Sequence, residues 1–119
     1  MSNEEKLTLA QQSAREWLNL IDRFEYDESW LQTSLYFQNS ITQEQWQQTL
    51  QGVRQPLGNM LSREVAARQY ATSLPGSPDG EYVVIQYRTS LVNKESAVET
   101  VTPMLDEDEQ WKVAGYYIK

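Results

Sequence analysis

Between Gly80 and Lys119 the chain divides into three successive runs of alternating apolar and polar residues, the last being Trp111-Lys112-Val113-Ala114-Gly115-Tyr116-Tyr117-Ile118. A period of two is the mark of a half-buried strand, so these runs read as an antiparallel meander. Before Gln55 the spacing is helical instead. A chain that is helical first and stranded afterwards must lay its helices against one sheet, because each element has a single apolar face to bury. The expectation is an α+β domain, with about three N-terminal helices on the concave face of a curved antiparallel sheet of about four strands. At 119 residues, a single domain over 1–119 is expected.

The helical part has clear starts. Leu7, Ala10, Ala14, Trp17, Leu18 and Ile21 share one face of a first helix, and Ser2 with Glu5 has capping-box spacing. A second helix is expected from Asp27 as N-cap, with Tyr26 stapled onto Leu31 and with Trp30, Leu31, Ser34 and Phe37 on one face. A third follows Thr42, where Gln45 completes a capping box and Ile41 and Trp46 have staple spacing. Its buried face is Trp46, Leu50 and Val53, and Pro56 stops it near Gln55. Gln47, Gln51 and Gln55 stack at i, i+4 and i+8, which reads as a solvated face.

After Gly58 the period changes to two. Strands are expected over about 63–72, 82–91, 97–105 and 111–118, with turns at 75–80 and 93–95 and an acidic loop at 106–110. Pro103 has no N–H to give a ladder, so it belongs at an edge, a bulge or a strand end. In the second strand Val83, Ile85, Tyr87, Thr89 and Leu91 point under the helices. Strict alternation in the last strand puts Trp111, Val113, Gly115 and Tyr117 on the same inner side. Tyr82, Val84, Tyr116 and Ile118 are then left outside, where an apolar patch would suit a homodimer packed sheet to sheet.

Composition excludes more chemistry than it suggests. There are no cysteines and no histidines, which removes disulfides, thiol nucleophiles, Cys/His zinc sites and every histidine-based proton shuttle. Ten Lys and Arg stand against 17 Asp and Glu, a net charge of −7 spread about evenly along the chain. Without a basic face, neither nucleic acid nor an anionic membrane surface is an expected partner. The opening Met-Ser-Asn-Glu-Glu-Lys lacks a leader's charged and apolar regions, so the expectation is a soluble cytoplasmic protein, or an exported one if a leader has been removed. No window reaches the length of a membrane span.

No cofactor is expected. The acidic run Asp106-Glu107-Asp108-Glu109 fails the calcium-loop pattern and reads as a solvated hairpin tip, so no metal is expected either. For acid/base work the candidate is Asp22, beside the apolar Ile21 where desolvation would raise its pKa. The competing role is a helix-end carboxylate paired with Arg54 or Arg63. Glu99, Tyr87 and Tyr117 are weaker candidates, and Arg54 or Arg63 could hold a ligand carboxylate.

The residues Trp17-Leu18-x-Leu20-Ile21-Asp22, Tyr26-x-x-Ser29-Trp30, Phe37, Ile41-Thr42 before Trp46, Arg54-x-Pro56-Leu57-Gly58 and Ser62-Arg63 form one pattern. It continues in Leu74-Pro75-Gly76-x-Pro78-Asp79-Gly80-Glu81-Tyr82, Glu99-Thr100-Val101 and Trp111-Lys112-Val113-Ala114-Gly115-Tyr116-Tyr117. Together they resemble the bacterial domain of unknown function 4019 family over nearly the whole chain. The resemblance implies a cystatin-like cone of the nuclear transport factor 2 superfamily, whose members include isomerases, dehydratases and non-catalytic binding or dimerisation modules. It implies no activity for the family itself. The expected function is a non-catalytic ligand-binding or protein-interaction module, with Trp17, Trp30, Trp46, Tyr87, Trp111 and Tyr117 lining or filling the cone around a small apolar ligand. The alternatives are a cofactor-free isomerase or lyase using Asp22 as base with a tyrosine as donor, and a purely structural dimerisation module.

Overall fold

The computed structural model describes residues 2–119. Four helices, α1 (Asn3–Asp22), α2 (Tyr26–Leu31), α3 (Leu35–Ser40) and α4 (Gln43–Val53), precede a 3-10 turn over Gln55–Leu57. Four strands follow, β1 (Met60–Ala71), β2 (Tyr82–Leu91), β3 (Lys94–Leu105) and β4 (Trp111–Ile118), in the spatial order β1-β2-β3-β4 with every pair antiparallel.

Both capping boxes form, Ser2 with Glu5 on α1 and Thr42 with Gln45 on α4. The expected second helix is divided in two. Thr33 bridges to Val113, the Ser34 N–H donates to the Val113 carbonyl (2.9 Å), and the Ser34 hydroxyl accepts from Phe37 N–H to start α3. Hydroxyl side chains compete with the helical ladder for backbone groups, and here β4 takes the chain out of the helix. Tyr26 lies inside α2, with Glu25 rather than Asp27 at the cap, and Leu31 is 53% exposed, so the staple does not form. Val53 is likewise exposed, one turn past Leu50 and clear of the sheet. Asp106 corrects the reading of the acidic loop as a wholly solvated tip: it is buried, and its carboxylate accepts from Leu35 N–H at the start of α3 (3.0 Å).

The core lies between α1, α2 and α4 and the inner sheet face, with Ala10, Ala14, Trp17, Leu18, Ile21, Trp46, Leu50, Val83, Ile85, Val101 and Val113 buried. The inner set of β2 is as alternation requires, Val83, Ile85, Tyr87, Thr89 and Leu91 all being buried. β4 departs from alternation. Thr102 opposes Gly115 while Pro103 opposes Val113, so Ala114 is an extra residue, a β-bulge beside the proline that has no N–H to pair. Every side chain beyond it changes face. Tyr116, opposite Val101, and Ile118, opposite Glu99, are therefore inside, and Tyr117, 60% exposed, is outside. Tyr82 is on the outer side as expected but is only 1% exposed, its hydroxyl donating to the Pro78 carbonyl of the loop folded over it.

Candidate functional site

Two buried polar systems lie inside this frame. The first is built on Ser29, fully buried in α2. Its carbonyl accepts from Trp17 Nε1 (2.8 Å) and its hydroxyl from Trp46 Nε1 (3.0 Å), while the hydroxyl donates to the Tyr26 carbonyl (2.6 Å). Two indoles can be buried there because one serine satisfies both N–H groups. Around it Trp17, Trp46 and Tyr116 pack with tilted or edge-on rings at centroid distances of 5.4–6.4 Å, and Phe37 meets Trp46 edge-on at 5.0 Å. Side chains fill the space between the helices and the sheet.

The second system is ionic and gathers residues from six elements and their junctions. Asp22, the last residue of α1, sits where the helix dipole disfavours an anion. Arg63 of β1 compensates with a two-pronged contact, Nη1 and Nη2 each 2.8 Å from one Asp22 oxygen. Its Nε donates to Glu99 of β3 (2.8 Å), a fully buried carboxylate that also accepts from Thr89 Oγ1 of β2 (2.6 Å) and Tyr116 Oη of β4 (2.5 Å). Arg54, at the end of α4 and fully buried, donates to the Gly58 carbonyl (2.6 Å) and reaches Asp22 at 3.5 Å. Gly58 accepts this position because its φ is +79° and a Cβ there would come within 3.1 Å of Val92.

Burial disfavours the charge on Arg63, but the hydrogen bonds and charges of Asp22 and Glu99 outweigh it and raise its pKa. Burial, then the neighbouring Glu99 charge and the bond to it, pushes the Tyr116 hydroxyl well up. Tyr87 is pushed up to about 12 by burial, with Arg63 opposing and Glu99 reinforcing the shift. Both carboxylates are engaged as acceptors, so the arrangement locks the sheet to α1 rather than presenting a free base.

Three buried polar atoms have no partner among the described residues: Tyr26 Oη, Arg54 Nε and Tyr87 Oη. Tyr87 also lines a cleft of about 250 Å³ between α1 and the β1 side of the sheet, with Gln11, Arg15, Leu18, Asn19, Met60, Arg63 and Val65 around it. A separate surface groove holds Trp17 and Trp111 on its wall. The six aromatic residues expected to line one pocket are thus not brought together. Trp17 and Trp46 are core, Trp30 is tied by its Nε1 to the Ile41 carbonyl, Trp111 borders the groove, Tyr87 borders the cleft and Tyr117 faces outward.

Of the acid/base candidates, Asp22 takes the paired alternative, and both arginines hold protein carboxylates or carbonyls. The central place of Glu99 and the partners Thr89 and Tyr116 were missed. The signal was a glutamate in phase with Ala97 and Val101, a charge written into an inner-face register. Among the described residues no cluster of acidic residues could hold a metal ion, and no helix is long and apolar enough to cross a membrane.

Fold and site together define a small α+β domain with a filled aromatic core and an internal ionic lock. Within that class the chain belongs to the family described as "Protein of unknown function (DUF4019)", whose model matches residues 13–116. Compared with curated proteins, the chain matches none.

Proposed function

We propose that this chain is a non-catalytic interaction module of the nuclear transport factor 2-like kind, of bacterial type, that pairs with a second copy through the outer face of its sheet. One observation carries the reading: the outer face is nearly neutral in a chain of net charge −7. By register it presents Ser62, Glu64, Ala67 and Gln69 of β1, Val84, Gln86 and Arg88 of β2, Val98, Thr100 and Thr102 of β3, and Tyr117 of β4. Its Glu64 and Arg88 neutralise each other at 3.2 Å. Two copies of net charge −7 repel overall, and approach costs least where a face carries no net charge. Tyr117, exposed near the end of the edge strand β4, is the anchor, an aromatic side chain with little rotamer entropy to lose on contact.

What weighs against proton transfer by Asp22 is that both its oxygens already accept from Arg63. What weighs against an apolar ligand within the cone is the packing of Trp17, Trp46 and Tyr116 in its middle. Sedimentation at micromolar concentration tests the proposal: a dimer is expected, and Tyr117→Glu is expected to give a folded monomer. A monomeric parent protein, or a Tyr117→Glu variant as dimeric as the parent, overturns it.

A further inference from the structure

We propose that the cleft between α1 and β1 is a binding site for a small organic carboxylate with a short apolar tail, held by Arg15 and by the hydroxyl of Tyr87. The walls divide by chemistry. Leu18, Met60 and Val65 are apolar, whereas Gln11, Arg15, Asn19, Arg63 and Tyr87 carry donors.

The charged groups around the cleft do not cancel. Arg63 and Arg54 face Asp22 and Glu99, two cations against two anions, and Arg68 bonds to Glu4 and Gln11. Arg15 has no ion pair or hydrogen bond among the described residues, which leaves one positive charge at the mouth of a cleft in an otherwise acidic protein. The Gln11 carbonyl is occupied by Arg68 (3.0 Å), so what Gln11 can still offer is its N–H groups.

Tyr87 supplies an independent observation. It is 4% exposed, its hydroxyl finds no partner in the protein, and it lines this cleft. Buried hydroxyls are normally satisfied, so an unpaired one at a cleft wall points to an acceptor that the protein does not provide. A phenol kept neutral by burial donates and an arginine donates, so the complementary group is an acceptor-only anion. A carboxylate fits that description, and Val65, 38% exposed at the same wall, offers apolar surface for a tail. The volume, about 250 Å³, is at the small end for ligand sites and suits a molecule of this size.

The test is a heteronuclear NMR titration of the full chain with hexanoate, with hexanamide as the neutral isostere and inorganic phosphate as the anion without a tail. Hexanoate is expected to give saturable shifts confined to residues around Arg15, Met60, Val65 and Tyr87, and hexanamide and phosphate to bind at least about tenfold more weakly. Arg15→Gln should weaken hexanoate by a similar factor while leaving the spectrum otherwise unchanged, since Arg15 is exposed. Tyr87→Phe, which removes a hydroxyl that no protein group uses, should fold and weaken binding several-fold. The proposal is overturned by non-saturable or scattered shifts, by equal affinity for hexanamide or phosphate, or by full affinity in Arg15→Gln or in Tyr87→Phe.

Discussion

Arg63 joins two carboxylates on the inner side of the sheet, facing both Asp22 and Glu99 at bonding distance. Removing one partner of a buried ionic group strands the other, so Arg63→Met is expected to cost about 3–5 kcal/mol in urea unfolding. A loss below about 1 kcal/mol would show the lock to be unimportant. Ser29→Ala takes the acceptor from Trp46 Nε1 and should cost about 1–3 kcal/mol by the same measurement. The tyrosines give a pH dependence of definite sign. Tyr87 is pushed up to about 12 and Tyr116 is raised as well, so the unfolded chain loses these protons first. Stability is then full below about pH 10 and falls as pH rises toward 12. Tyr87→Phe should flatten that fall in urea unfolding followed from about pH 9 to about pH 12. At this scale the sequence was legible wherever a residue had a local partner. Ser2 with Glu5 and Thr42 with Gln45 met as their spacing required, whereas Arg63 and Glu99 are 36 positions apart and nothing local links them.

Element by element, the departures share a cause: a distant group outcompeting a local pattern. Apolar spacing runs through Trp30, Leu31, Ser34 and Phe37 as though in one helix, but the Val113 carbonyl captures Ser34 N–H and the helix ends at Leu31. In β4, alternation is broken because Pro103 on the neighbouring strand has no N–H, and the ladder passes over Ala114. The consequence is testable by deletion. Without Ala114 the ladder can run from Val113 directly to Gly115 in strict alternation, which keeps Val113 and Tyr116 inside and Tyr117 outside. The variant is expected to keep cooperative unfolding, and loss of a cooperative melting curve would show that the bulge itself is needed beside Pro103. Ladder ends were easier to read, β2 occupying the expected Tyr82–Leu91 and β4 the expected Trp111–Ile118. β1 begins at Met60, earlier than expected, and carries bulges near Leu61 and Ala66. Those bulges and its inward-pointing Arg63 and Arg68 protect a long edge strand from pairing with other chains edge to edge.

For the whole molecule, charge is the property that composition alone supplies and that the proposed pairing must contend with. Two copies of net charge −7 repel over a distance set by salt, while a neutral sheet face contributes little attraction of its own charge. Raising ionic strength from about 0.01 M to about 0.15 M shortens the screening length from about 30 Å to about 8 Å. Dimerisation should therefore tighten several-fold with salt in sedimentation, and weakening would point to an interface held by ion pairs instead. The sequence by itself determined the α+β class, the order of helices before strands, the inner face of β2 and the absence of cysteine and histidine chemistry, because these depend on periodicity and composition. Only the tertiary structure decided that Trp17, Trp46 and Tyr116 fill the space between helices and sheet and that Asp22 is locked by Arg63. It also reversed Tyr116 and Tyr117 across the sheet and set Tyr87 beside a cleft without a partner. Each of these depends on which residues far apart in the chain come within a few ångströms, and no repeat of period two or 3.6 encodes that.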